Sequence, residues 1–238
     1  MTIATLLGSV GSIFSFCLQL SPFPAMIEGL KTNDIPSMTI SYFVMGIFGS
    51  VLWTCFGFGI NDIFVYGVNI VGITLFGIYL NIFIYVKCDM KTFLMCNLGL
   101  LLEFIIAYIY FSPSLCLYLA VIVACIWQSS TIETMRYALE QKDAKFVNIL
   151  LAVVSLLNFA DWFIYGVLIQ TYMMSFQNFV CGFFCAMNIY IYMWCNGYMS
   201  HDNVIIELMK KAMMVKEIQV SKNTNEIDVK TIPENQYI

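Results

Sequence analysis

Seven long apolar runs, separated by short polar connections, make up most of this chain. They extend from Ile3 to Leu20, Ile35 to Ile60, Ile63 to Val86, Thr92 to Phe111, Ser114 to about Ile132, Phe146 to Ile169, and Tyr172 to about Tyr198. A helix needs about 20 apolar residues to cross ~30 Å of hydrocarbon, and each run is of that order. Lipid cannot satisfy open backbone groups, and the runs lack the alternation of a membrane barrel, so the pattern predicts helices. The first run ends in Ser21-Pro22-Phe23-Pro24, and Glu28, Lys31 and Asp34 read as the first polar connection. It has neither a basic leader nor a small-residue cleavage site, so it is read as a span, not a signal peptide. Asn61-Asp62 and Gln170-Thr171 read as tight turns, Ser112-Pro113 as a break, and Glu133 to Lys145 as a charged connection.

The runs repeat. Trp53, Gly57 and Asn69 recur as Trp162, Gly166 and Asn178, each pair 109 positions apart. The same offset pairs Met26 with Met135, Leu30 with Leu139, and Asp34 with Asp143. Self-similarity at a fixed offset marks a duplicated unit. Spans one to three and five to seven form the two copies, and span four joins them. An odd joining span gives both copies the same orientation in the membrane. The fold class is therefore all-α integral membrane, with seven transmembrane helices as two parallel three-helix bundles joined by a linker helix. The expected divisions are 1–91 for the first repeat, 92–113 for the linker, 114–198 for the second repeat and 199–238 for a tail. Parallel repeats of this kind place a substrate site near the midplane between them.

Composition and charge then set class and orientation. The chain is 61% hydrophobic and 11% charged, against about 25% charged in soluble domains. All eleven Lys and Arg fall on one side: Lys31, Lys87, Lys91, Arg136, Lys142, Lys145 and five in the tail. The positive-inside rule makes that side cytoplasmic, with the N-terminus outside. The tail reads as disordered, with Ile205 to Val215 able to form a short amphipathic helix on the inner leaflet. Nine Cys lack disulfide or metal spacing and read as packing residues. With His201 as the only His, no metal, cofactor or catalytic set is expected.

Trp53 and Asn69 lie about equally far from the Asn61-Asp62 turn, and Trp162 and Asn178 from the Gln170-Thr171 turn. Eight residues of helix span roughly 12 Å, close to the middle of the bilayer. An amide at that depth needs a partner or a wet cavity, and an indole offers a flat apolar face with one N–H donor. Two such pairs suit a polyhydroxylated ring, although interhelical Asn glue is the alternative reading. Two acids also fall within spans. Glu103 is in the linker. Asp161, beside Trp162, is a candidate proton site and equally a neutral group bonding two helices.

These residues resemble those of the SWEET sugar transporters. The resemblance covers about residues 5 to 197. It rests on S-P-F-P in span one, L-W-T-C-F-G ending span two, N-I-V-G with Tyr79 in span three, M-R-Y-A-L-E-Q-K-D after span five, L-L-N-F-A-D-W-F-I-Y-G in span six and Q-N in span seven. It implies two bundles packed in the order first-third-second helix and facilitated, bidirectional sugar flux without ion coupling. Carried over by position, it implies substrate contacts from Asn69, Asn178, Trp53 and Trp162. Gly49 and Asn158 stand one turn before the Trps, Ser15 and Leu18 in span one, and Ala124 and Trp127 in span five. Of four family hinge prolines, one in each of spans one, two, five and six, only Pro22 is present. Tyr42, Thr131 and Asn148 stand at the other three positions, so switching is expected to be slower unless Gly46 and Gly49 supply flexibility. Span seven has Gln177-Asn178 where the family has Pro-Asn, with the following Gly displaced to Gly182. This is a diverged member.

The expected function is a sugar uniporter working by alternating access, with glucose-like or sucrose-like cargo. The alternatives are a proton-coupled carrier of an amino acid or small solute, as in related PQ-loop proteins, and a seven-span receptor. The chain contains no Pro-Gln dipeptide, and its repeat and short outer loops argue against a receptor. Expected partners are the sugar, the lipid bilayer and a second copy of the chain, with no nucleic acid. The expected location is the plasma membrane, with an endomembrane as the alternative.

Overall fold

A computed structural model describes residues 2–35, 40–87, 90–110, 112–200 and 203–213. They form helices and turns, with no strand among the described residues. The first repeat holds α1 (Ile3–Gln19), α2 (Phe23–Thr32), α3 (Ile40–Gly59) and α4 (Ile63–Lys87). The linker is α5 (Met90–Tyr110). The second repeat holds α6 (Pro113–Trp127), α7 (Ser129–Gln141), a 3-10 turn at Ala144–Phe146, α8 (Ile149–Leu168) and α9 (Tyr172–Cys195). A last helix, α10 (Val204–Ala212), follows.

Six helical stretches among the described residues are long and apolar enough to span: Ile3–Thr32, Ile40–Gly59, Ile63–Lys87, Pro113–Gln141, Ile149–Leu168 and Tyr172–Cys195. The linker α5 is the seventh long helix, with 21 residues. The side chain of Glu103 lies outside the described residues.

Two connections differ from the sequence expectation. The chain after Ser21 stays helical as α2, through the residues read as a polar connection. Pro22 caps α2 and Pro24 lies in its first turn, where a missing N–H leaves no bond unmade. The charged stretch after span five is also helical, as α7. It is amphipathic: Met135, Ala138 and Leu139 are buried, while Arg136 pairs outward with Glu140 at 2.8 Å. The side chains of Ser112, Asn148 and Asn203 cap α6, α8 and α10, each satisfying N–H groups that a helix start leaves open. Residues 214–238, most of the expected disordered tail, lie outside the described residues.

The duplication is visible in the backbone. The non-glycine residues with positive φ among those described are Asn33, Asn61, Lys142 and Gln170. They form two pairs, each 109 apart. In the turns between α3 and α4 and between α8 and α9, Asp62 N donates to Gly57 O at 2.9 Å and Thr171 N to Gly166 O at 2.8 Å. Tyr66 N donates to Asp62 O at 3.1 Å and Ser175 N to Thr171 O at 3.2 Å.

Packing follows the same symmetry. α4 packs on α1, α2 and α3, so the third helix lies between the first and second, and α9 packs likewise on α6, α7 and α8. The repeats meet along two equivalent seams, α1 with α8 and α3 with α6. The linker packs on α3 and α4, where Asn97 Nδ2 donates to Asn81 Oδ1 at 3.1 Å. One core cluster fills the inside of the first repeat around Phe43, Tyr79 and Leu80. A second spans the seams with Leu52, Ala120, Val123 and Trp162. A third joins α10, through Ile206 and Met209, to Met135, Leu139 and Trp194.

Candidate functional site

The α1–α8 seam carries a continuous hydrogen-bonded chain. Trp162 Nε1 donates to Ser15 Oγ at 2.9 Å, and Ser15 Oγ donates to Asn158 Oδ1 at 2.8 Å. Asn158 and Trp162 lie one turn apart on α8, so both face α1, and both are buried. Three of the sequence-predicted residues therefore form one polar wall. The equivalent positions on the α3–α6 seam are Gly49, Trp53 and Ala124. This wall has no polar bridge: a Cβ added to Gly49 would meet Val123 at 3.6 Å, and Trp53 packs edge-on to Phe56 at 5.8 Å. The two Trps join the same apolar cluster, but only Trp162 has its indole N–H engaged among the described residues.

Asn69 and Asn178 repeat each other in detail. Asn69 Nδ2 donates to Val65 O at 2.7 Å, and Asn178 Nδ2 to Met174 O at 2.8 Å. One amide N–H is thus spent on the helix, and Oδ1 has no protein donor among the described residues. An acceptor left open in this way suits a ligand hydroxyl.

Asp161 faces α1 at Gly11. It is buried, and its Oδ2 has no hydrogen-bond partner among the described residues. A Cβ on Gly11 would strike this carboxylate and reach 3.0 Å from Trp162 Cε2. The positions equivalent to Gly11 and Asp161 are Ala120 and Leu52, both buried apolar members of the seam cluster. Asp161 thus stands where the other seam carries a leucine.

Other predicted positions fall elsewhere. Trp127 is drawn into an aromatic group with Tyr42 at 5.3 Å and Phe76 at 5.8 Å, which joins α6 to the first repeat. Leu18 is half-buried. Pro22 begins α2, and Asn148, at a position of a missing hinge proline, caps α8 instead of interrupting it. Sequence reasoning missed one inter-repeat bond: Tyr165 Oη donates to Asp62 Oδ2 at 2.6 Å, beside the α3–α4 turn. Its repeat counterparts are Phe56 and Thr171, so comparing the copies could not reveal it. Among the described residues no group of His, Cys, Asp and Glu is placed to hold a metal.

Comparison with known proteins gives a consistent result. Residues 5–91 and 114–200 each match the family model described as "Sugar efflux transporter for intercellular exchange". A rice (Oryza sativa subsp. japonica) protein named bidirectional sugar transporter SWEET7b is 27% identical over 205 residues, covering 80% of this chain and 77% of its own. The putative bidirectional sugar transporter SWEET7d of the same plant is 27% identical over 208 residues, covering 80% and 74%. A solved eukaryotic SWEET transporter superposes with a TM-score of 0.69 at 18% identity, covering 81% of this chain and 96% of its own. That likeness shows the fold, and the two family-model matches extend over well more than half of the sequence. The chain belongs to the SWEET family of sugar efflux transporters.

Proposed function

We propose that this protein carries a sugar across a membrane in both directions, passively, by exposing a site between its repeats alternately to each side. One observation carries the assignment: the Trp162–Ser15–Asn158 chain lies in the seam between repeats that also bear the open acceptors of Asn69 and Asn178. Hydroxyls would bond these amides and Ser15, and Trp53 and Trp162 would lie against the C–H faces of the ring. Relatives named as bidirectional sugar transporters support the cargo class. Asn158 and Gly49 make the two walls unequal, so the sugar would sit off the pseudo-twofold axis. The first repeat is taken as 1–91, the linker as 92–113 and the second repeat as 114–198. The Lys and Arg distribution supports an N-terminus outside and a cytosolic tail, and the plasma membrane is the proposed location.

A second reading has one observation in its favour. Asp161 is a buried carboxyl with an unpartnered oxygen, next to the site. It would serve a proton-coupled carrier of a small solute. One experiment separates the two: the protein in liposomes, loaded with labelled glucose or sucrose, with and without a proton gradient. Counterflow of sugar that ignores the gradient supports the passive carrier. Uphill uptake that disappears in Asp161→Asn supports coupling. Absence of any sugar movement by well-folded protein removes the sugar reading.

A further inference from the structure

The first helix of each repeat is interrupted at nearly the same place. In the first repeat α1 ends at Gln19 and α2 begins at Phe23, with Pro22 between. In the second, α6 ends at Trp127 and α7 begins at Ser129, and no proline is present there. Gln128 N keeps the regular helical bond to Ala124 O at 3.0 Å, and beyond it Thr131 N donates to Gln128 O at 3.1 Å, a three-residue step that breaks the four-residue ladder. Helix interruptions have identifiable causes: proline, small-residue pairs or an inserted side chain.

The feature common to both breaks is a glutamine. Gln19 and Gln128 are 109 apart, and each reaches sideways to the third helix of its own repeat. Gln19 Nε2 donates to Val68 O at 3.2 Å, and Gln128 Nε2 to Cys181 O at 3.4 Å. Val68 precedes Asn69, and Cys181 lies one turn beyond Asn178. Each bond therefore ties the broken helix to the stretch of helix that carries the site asparagine. An amide within a membrane span needs such a partner, so the bond fixes where the break sits. Cys181 is a shared junction, since Gln177 Nε2 also donates to its Sγ at 3.2 Å.

We infer that Gln128 is the hinge anchor of the second repeat, and Gln19 its counterpart in the first. The side-chain amide holds the interruption in register with the third helix, and in the second repeat it takes the part that Pro22 shares in the first. Bending then occurs at a fixed point, just beyond Ser15 and Leu18 on α1 and just beyond Ala124 and Trp127 on α6. This inference rests on the carrier reading for its flux measurement, but not for its structural one.

The test uses the full chain in liposomes, with maximal sugar exchange measured beside equilibrium binding by indole fluorescence. Loss of one such bond corresponds to about a fivefold change. Gln128→Leu is expected to lower maximal exchange by about fivefold while binding stays within about twofold. Adding Thr131→Pro to that variant restores exchange, because proline interrupts the helix without a side-chain anchor. Gln19→Leu alone has a smaller effect, because Pro22 remains, and Gln19→Leu with Pro22→Ala falls as Gln128→Leu does. Spin labels on α6 and α7 read the hinge directly: their distance distribution broadens in Gln128→Leu and narrows again with Thr131→Pro, with or without sugar. Should Gln128→Leu fail to fold, Gln128→Met carries the same expectations. Unchanged exchange and distances in a folded Gln128 variant overturn the inference. So does a failure of Thr131→Pro to restore either, or loss of the interruption in Ser129→Ala/Ser130→Ala with Gln128 intact. If the native protein moves no sugar yet the spin-label distances respond as stated, the carrier reading fails and the hinge stands.

Discussion

Tyr165 and Asp62 tie the second repeat to the α3–α4 turn of the first. The phenol donates to one carboxylate oxygen, Oδ2, at 2.6 Å, while the other, Oδ1, accepts from Phe64 N at 3.0 Å and Val65 N at 3.2 Å. Asp62 is thus held as the cap of α4, and Tyr165 is the half of the pair free to leave. At the far end of α6, Trp127 packs against Tyr42 and Phe76. The repeats therefore touch on both sides of the candidate site.

In the proposed orientation this turn faces outside, so removing the bond should favour an outward-open form. A hydrogen bond to a charged group contributes about 1.5–3 kcal/mol, so Tyr165→Phe should shift the balance by roughly tenfold or more. Apparent affinity scales with the fraction of the competent form. Half-saturation measured from the outer side should fall and that from the inner side should rise. Half-saturation values from the two sides that match those of the native protein would show that this bond is no latch.

The polar wall makes a graded prediction. Asn69→Ala, Asn178→Ala and Asn158→Ala should each weaken sugar binding by about 1–3 kcal/mol, or roughly ten- to a hundredfold. Ser15→Ala should free the Trp162 indole and also weaken binding. Asn81→Ala should leave sugar binding intact, but it breaks the contact with Asn97 on the linker, so lower thermal stability is expected. Normal binding in a folded Asn69→Ala/Asn178→Ala protein would remove the site.

Gly11 and Asp161 predict a rescue. Gly11→Ala drives a methyl into the Asp161 carboxylate and the Trp162 ring, and overpacking of this kind costs about 1–3 kcal/mol. Gly11→Ala with Asp161→Leu reproduces the Ala120 and Leu52 arrangement of the other seam. The double variant should regain most of the melting temperature lost by Gly11→Ala. A further loss in the double variant would mean that the seams are not interchangeable.

Left-handed backbone at Lys142 and Gln170 predicts a gain. Their φ values are 52° and 59°, a region that disfavours side-chain-bearing residues by about 1–2 kcal/mol and that helix ends commonly fill with glycine. Lys142→Gly and Gln170→Gly should each raise stability in detergent by about 0.5–1 kcal/mol, after the extra chain entropy of glycine. Asn33→Gly and Asn61→Gly should change little, since asparagine tolerates this conformation. Thermal unfolding of the four variants checks the order.

The helices, the duplication and the positions of the paired Trp and Asn residues were legible because each is a periodic or repeated signal. Gln19 and Gln128 stand at the same offset, but each falls inside an apolar run, where a lone amide carries no periodic signal. Only the structure shows each amide crossing to the third helix. The continuation of helix into α2 and α7 was hidden by prolines and charges, which are helix-compatible at a first turn and on an exposed face. The Tyr165–Asp62 bond and the Gly11–Asp161 contact could not be read at all. Both depend on which face of one repeat meets the other, and in both the duplicate positions carry unrelated side chains.

The α3–α4 and α8–α9 turns bear on how the protein enters the membrane. Each is closed by bonds within residues 57 to 66 or 166 to 175, with α3 directly followed by α4 and α8 by α9. Such a pair can leave the ribosome's exit channel and enter the bilayer as a ready-made hairpin. Only a short tip, Asn61-Asp62 or Gln170-Thr171, has to be carried to the far side, and it already satisfies much of its own backbone. The duplicated turns thus make each helical pair suited to insertion as one piece.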